Sequence, residues 1–178
     1  MKTTIALGTL LSASLGLYTQ VGAAVSGQIQ ARLVITAGCE VNSGDSTLPS
    51  GSVGALGTLD FGAQAPTWAS PIGASLDTAA GAVQVACNPS VTGFTVTIDG
   101  GAHGDGSTRR LSNGRQTIPY LLYLNPAGTE RYSIGQQKTF SVSSGGQVPI
   151  PIFGAVVANT SALPAGVYSD TLTVTLDW

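Results

Sequence analysis

One histidine and a handful of hydroxyls and acids are the only side chains placed for catalysis. His103 sits in a glycine-rich stretch, with Gly101, Gly104 and Gly106 around it and Asp99, Asp105 and Ser107 nearby in sequence. A Ser–His–Asp arrangement is formally available there, but such triads depend on rigid geometry, and closeness in a loop does not supply it. The stretch reads instead as a solvated loop or hairpin, with Asp105, Arg109, Arg110 and Arg115 as its charge cluster. Its glycines lack the GK[ST] ending of a phosphate loop. The acids from Asp99 to Asp105 do not follow calcium-loop spacing. Asn159-Thr160-Ser161 matches a glycosylation acceptor, read as chance beside a bacterial-type leader. Trp68, Tyr120, Tyr123 and Tyr132 are candidates for stacking on a sugar, although strand alternation directs some of them to the core. Catalytic, cofactor and metal sites are therefore all expected to be absent.

Cys39 and Cys87 are the two cysteines. With an export signal upstream, one intramolecular disulfide is the economical reading. The bridge would close a loop of about 49 residues, roughly 4 kcal/mol in the chain-entropy picture. Neither CxxC spacing nor a neighbouring histidine supports a redox or zinc pair. The signal is residues 1–24: Lys2, an apolar stretch from Ile5 to Leu17, and small residues Val21-Gly22-Ala23-Ala24 for cleavage. The stretch falls short of the roughly 20 residues that span a bilayer. Removing Lys2 leaves six basic and nine acidic residues, a small negative charge without a basic patch, so nucleic acid is not an expected partner. Charged residues make up only 9% and glycines number 24, which suits a surface covered by copies of itself.

The elements that must carry these residues are strands. After the leader, short Val/Ile/Thr/Phe runs alternate with Gly, Pro, Asn and Ser, which predicts an all-β sandwich. Strands are expected at 25–35, 37–42, 57–62, 81–88, 92–99, 117–124, 130–133, 138–142, 147–157 and 166–178. Residues 42–57 read as a mobile loop and 63–80 as irregular. Val83, Val85 and Cys87 share an inward face, and Cys39 continues the odd-numbered face of the N-terminal run, so the two cysteines can meet.

Two alternations stand at the extremities. Val25, Gly27, Ile29, Ala31, Leu33 and Ile35 share one face, with Ser26, Gln28, Gln30 and Arg32 opposite. From Tyr168 onward, Leu172, Val174, Leu176 and Trp178 point one way and Thr171, Thr173, Thr175 and Asp177 the other. A sandwich lacking a strand exposes a groove of apolar side chains and unpaired backbone. An extended segment with an inward residue at every second position can fill it. Val25, Ile29, Leu33 and Ile35 would each contribute roughly 1.5–3 kcal/mol on full burial. Gly27 interrupts the large residues where a close backbone approach would need it to.

Several stretches together resemble a known family. They are Val25-Ser26-Gly27-Gln28-Ile29 leading to Gly38-Cys39, Gly57-Thr58-Leu59-Asp60-Phe61-Gly62, Val83-Gln84-Val85-Ala86-Cys87, and Phe94 to Gly101. Pro149-Ile150-Pro151-Ile152-Phe153-Gly154 and the closing Gly166-Val167-Tyr168-Ser169-Asp170-Thr171-Leu172-Thr173-Val174 complete the set. From about Val25 to Trp178 the chain resembles the spore coat protein U domain family, the pilins of archaic chaperone–usher pili.

That resemblance implies an incomplete immunoglobulin-like β-sandwich completed by donor-strand exchange. Residues 25–36 become the donor-strand segment and 37–178 the pilin domain. Cys39–Cys87 becomes the structural disulfide, and Tyr168, Leu172, Val174, Leu176 and Trp178 the groove-edge strand. The implied partners are copies of itself or sibling pilins, a periplasmic chaperone and an outer-membrane usher, with a surface glycan open as ligand. The product would be a cell-surface fibre for adhesion and biofilm formation, with no enzyme activity and no cofactor. The rival expectation is a secreted monomeric β-sandwich, either glycan-binding or part of a spore or envelope coat.

Overall fold

The computed structural model describes residues 28, 30–35, 37–43, 46–49, 54–78, 81–143 and 146–178. Among them are eleven strands and no α-helix. They are β1 (Cys39–Ser43), β2 (Ser46–Leu48), β3 (Ile72–Ser75), β4 (Ala82–Cys87), β5 (Gly93–Ile98), β6 (Arg109–Ser112), β7 (Thr117–Tyr123), β8 (Lys138–Ser141), β9 (Gln147–Pro151), β10 (Phe153–Val156) and β11 (Val174–Asp177). Three antiparallel sheets form, in the orders β2-β1-β4-β9, β3-β10-β7-β6 and β11-β5-β8. By its internal contacts the chain divides between Val34 and Ile35.

The alternating runs behave as their sequence dictates. Phe94, Val96 and Ile98 of β5 are buried while Thr95 and Thr97 are less so. Ile118, Tyr120 and Leu122 do the same in β7. Val83 and Val85 of β4 and Ile150 of β9 join them, so side chains from all three sheets share one core. The run 147–157 is two strands rather than one. β9 pairs with β4 and β10 with β7, and the chain changes sheet at buried Ile152. Pro149 and Pro151 are tolerated because β9 is the edge of its sheet.

Other boundaries differ from expectation for local reasons. Residues 57–62 make one bridge, Leu59 to Leu76, in place of a strand. Asp77 accepts the Thr58 amide and Asp60 accepts the Gly62 amide, so side chains replace a ladder there. Phe61 and Leu59 instead pack over Gly154 of β10, where a Cβ would crowd the Phe61 ring. Residues 130–133 are likewise reduced to a bridge between Arg131 and Tyr123. Conversely, β2 lies in the presumed mobile loop and β3 in the irregular stretch. The charged loop is also corrected in part: it contains β6, and Arg109 is buried.

Candidate functional site

Cys39 and Cys87 lie directly opposite each other in the β1–β4 ladder. They form a disulfide with Cα atoms 4.0 Å apart. The inward parity read from both strands thus brings them together, with Cys39 fully buried. The bridge ties β1 to β4, the two inner strands of their sheet.

The residues expected to border a groove lie in and just before β11, with Trp178 after it. β11 pairs with β5 in the register Val174↔Ile98 and Leu176↔Val96, and it is the edge of its sheet. Asp99 donates its amide to the Thr173 carbonyl at 3.1 Å, and the Thr173 amide returns to Asp99 Oδ1, so 99 and 173 occupy a hydrogen-bonding position of the ladder. The antiparallel alternation then bonds Thr175 to Thr97 and Asp177 to Thr95. It turns the N–H and C=O of Val174 and Leu176 away from β5. The side chains of Leu172, Val174 and Leu176 point inward yet are only half-buried, as is Tyr168, whose hydroxyl donates to the Pro164 carbonyl.

Two parts of the predicted 166–178 strand need correction. Trp178 lies past β11 and is 47% exposed, so it does not share the packed face. The stretch before β11 is not regular strand either. Ser169 exchanges both backbone hydrogen bonds with Ser112 of β6, at 2.9 and 3.0 Å. The chain then changes partner, its Thr171 carbonyl accepting from the Ala102 amide.

Of the proposed donor face, Val25, Gly27 and Ile29 lie outside the described residues. Ala31, Leu33 and Ile35 are exposed and outside any strand, Leu33 at 84% and Ile35 at 76%. Val34, on the other face, is also exposed at 60%.

The residues weighed for catalysis are held in other roles. The Ser107 hydroxyl donates to Asp105 at 2.8 Å and not to His103. Asp105 also receives Arg110, and these hydrogen bonds hold its carboxyl well below the usual carboxylate range. The carboxylate that faces His103 is Asp170, 3.2 Å from Nδ1. Among the described residues no group of three or more His, Cys, Asp and Glu could hold a metal ion. Tyr120 and Tyr132 are core residues, unavailable for sugar stacking. Trp68 is half-buried and donates its indole N–H to the Val157 carbonyl, while Tyr123 packs beneath Arg131.

Asp170 and Arg109 are the polar residues that sequence reasoning missed. The Asp170 side chain is 2% accessible. Its Oδ2 accepts the Tyr120 hydroxyl at 2.7 Å, and its Oδ1 accepts the His103 amide at 3.0 Å. Burial first, and the Asp170 hydrogen bond second, push the Tyr120 phenol far above its ordinary value, so it remains a donor. Arg109 donates to the carbonyls of Asp99, Ile98 and Tyr132 at 2.8, 2.9 and 2.6 Å. Burial lowers its guanidinium pKa. A signal for Asp170 was present: it has the even parity of Leu172 and Val174, which placed an acid on an inward face.

The Spore Coat Protein U domain profile matches residues 25–175. The chain belongs to the Spore Coat Protein U domain family. The match takes in the disulfide, the inward face of β5 and most of residues 166–178 of this Spore Coat Protein U domain. Among solved structures, it is similar to a chain of the CsuC–CsuE chaperone–tip adhesion subunit pre-assembly complex, from archaic chaperone–usher Csu pili of Acinetobacter baumannii. The TM-score is 0.52 at 17% identity, over 81% of this chain and 40% of that one. The P pilus rod subunit PapA aligns with TM-score 0.49 and 15% identity, over 79% of this chain and 98% of that chain. No curated protein matches the chain. The Spore Coat Protein U domain described here is therefore all-β and immunoglobulin-like in fold.

Proposed function

We propose that the chain is a structural subunit of a chaperone–usher fibre, polymerising when residues 25–35 of one copy complete the sandwich of the next. The observation that carries this reading is the state of β11. Its inward face has the apolar alternation of a core strand but is half-covered, and its ladder turns the backbone groups of Val174 and Leu176 outward. A matching alternation, apolar and exposed where it is described, stands at Ala31, Leu33 and Ile35. The family membership supports the same reading, as does a fold shared with a chain of a chaperone–subunit complex.

On this reading residues 1–24 direct export, 25–36 are the donor segment and 37–178 the acceptor body. A periplasmic chaperone holds the open edge until an outer-membrane usher exchanges it for a donor strand. The fibre stands at the cell surface, where adhesion and biofilm formation are its expected roles, and the chain performs no catalysis. Each of Leu33 and Ile35 gains roughly 1.5–3 kcal/mol on burial in the acceptor. Part of that gain offsets the cost of association.

The test compares Leu33→Asp with Gln30→Asp on unheated denaturing gels, where strand-linked polymers run as ladders. Leu33→Asp should abolish the ladder and Gln30→Asp should leave it. Equal effects would show that residues 25–35 do not seat with the proposed face inward.

A further inference from the structure

We propose that Asp170 is a positioning residue for strand acceptance: gripped by Tyr120 and His103, it sets the line on which the C-terminal segment passes from β6 to β5. This rests on the strand-exchange reading above and names a control on that same site.

Asp170 occupies the point where the segment changes partners. One residue earlier, Ser169 is bonded to Ser112 of β6. Afterwards, the carbonyls of Thr171 and Thr173 accept from Ala102 and Asp99 at 3.0 and 3.1 Å. A single residue between two ladders has no ladder of its own to fix it, so its side chain does so. Both carboxylate oxygens are engaged, one by Tyr120 of β7 and the other by the His103 amide, with the His103 ring alongside. A buried carboxylate left without such donors would be costly, so the grip is directional and hard to release piecemeal.

The neighbouring backbone is shaped around this carboxylate. Gly101 has φ near +80°, and a Cβ on it would overlap the Asp170 carboxyl group. Two residues before Gly101, Asp99 repeats the device. Its Oδ1 accepts the amides of Gly101 at 2.9 Å and Thr173 at 3.0 Å. Arg109 in turn fixes the end of β5 through the Ile98 and Asp99 carbonyls. The Asp170 and Asp99 carboxylates thus hold the segment immediately ahead of β11.

The consequence for β11 follows from its size. It has four residues, one neighbouring strand and an inward face that is only half-buried. Its own packing therefore holds it less firmly than the fully buried strands, and its register on β5 depends on where residues 170–173 deliver it. Asp170 shares parity with Leu172, Val174 and Leu176, so a shift at Asp170 rotates the whole apolar face. An incoming strand pairs productively only with an edge already in place.

The experiment uses the full chain, oxidised and refolded, with a fluorescently labelled synthetic peptide of residues 25–36. Peptide capture is followed by anisotropy, and amide exchange is measured in the uncaptured chain. Asp170→Ala should slow capture on the order of tenfold. Tyr120→Phe, which removes one hydroxyl, should fall between Asp170→Ala and the parent. Asp170→Asn should recover part of the rate, because it keeps an acceptor for the His103 amide. Ile150→Val, a core change in β9, should cost stability without slowing capture. Exchange at Thr175 and Asp177 should accelerate in Tyr120→Phe while β4 amides stay protected. Capture at the parent rate by a folded Asp170→Ala or Tyr120→Phe chain overturns the proposal. If Asp170→Ala does not fold, Tyr120→Phe decides. If the folded parent captures no peptide, the strand-exchange reading fails instead. The positioning role then stands or falls on exchange, and unchanged exchange at Thr175 and Asp177 refutes it.

Discussion

β5 and β11 carry the same pattern and meet different fates. Val96 and Leu176 face each other across the ladder, as do Ile98 and Val174. Val96 is fully buried, whereas Leu176 is half-covered. Both strands alternate apolar and Thr residues, and both point their apolar side chains to the same side of one sheet. The difference lies in the neighbours. β5 has β8 on one flank and β11 on the other, whereas β11 has β5 and then the sheet edge. Periodicity thus reports the direction of a side chain; its burial depends on what lies across from it and beside it.

The contrast can be broken most forcefully at Phe94, which is buried and stacked on Phe140 with ring centroids 5.5 Å apart. Phe94→Ala should cost about 3–5 kcal/mol in denaturant unfolding of the isolated chain. Replacing both cysteines by alanine should cost about 2–4 kcal/mol in the same assay, because the bridge closes a long loop. Leu176→Ala should cost less, about 1–2 kcal/mol in the isolated chain, since its side chain is only partly buried, yet it should weaken assembly strongly. If its cost in the isolated chain equals that of Phe94→Ala, β11 is already a core strand and the comparison fails. Thr175→Val, on the exposed face of β11, should change stability by less than about 0.5 kcal/mol.

The smallest effect concerns acid. Burial raises the Asp99 pKa, but the amides of Thr173 and Gly101 outweigh it and hold the carboxyl below its ordinary 3.8. A depressed value means the stabilisation is fully present above the ordinary value. It is lost as pH falls through the lower folded one. Asp99→Asn should therefore flatten the acid limb of the stability–pH curve and loosen β11 relative to β5.

Much of this was legible in the sequence because it depended on period two. β4, β5, β7 and β8 appear within a residue or two of their expected bounds, and the facing of Cys39 and Cys87 follows from parity. What was missed depended on contacts distant in sequence. β3 lies in a stretch broken by proline and glycine and is held by β10, about 80 residues later in the chain. Arg109 reads as solvated beside Asp105 and Arg110, but carbonyls from β5 and from Tyr132 satisfy its guanidinium in the interior. The parity of Asp170 offered a signal that was not used, and its partners Tyr120 and His103 are 50 and 67 residues away. The expected strand at 57–62 failed for the opposite reason, because Asp60 and Asp77 offered its backbone closer partners than a ladder.

Amide hydrogen exchange, compared between isolated chain and assembled fibre, tests the central claim most directly. The backbone groups of Val174 and Leu176 face away from β5, whereas Thr175 and Asp177 are bonded to it. If residues 25–35 of a neighbour pair with this edge, the Val174 and Leu176 amides should gain protection on assembly, together with alternate amides in 25–35. Thr175 and Asp177 should change far less. Fibres in which Val174 and Leu176 exchange as fast as in the isolated chain would contradict the account.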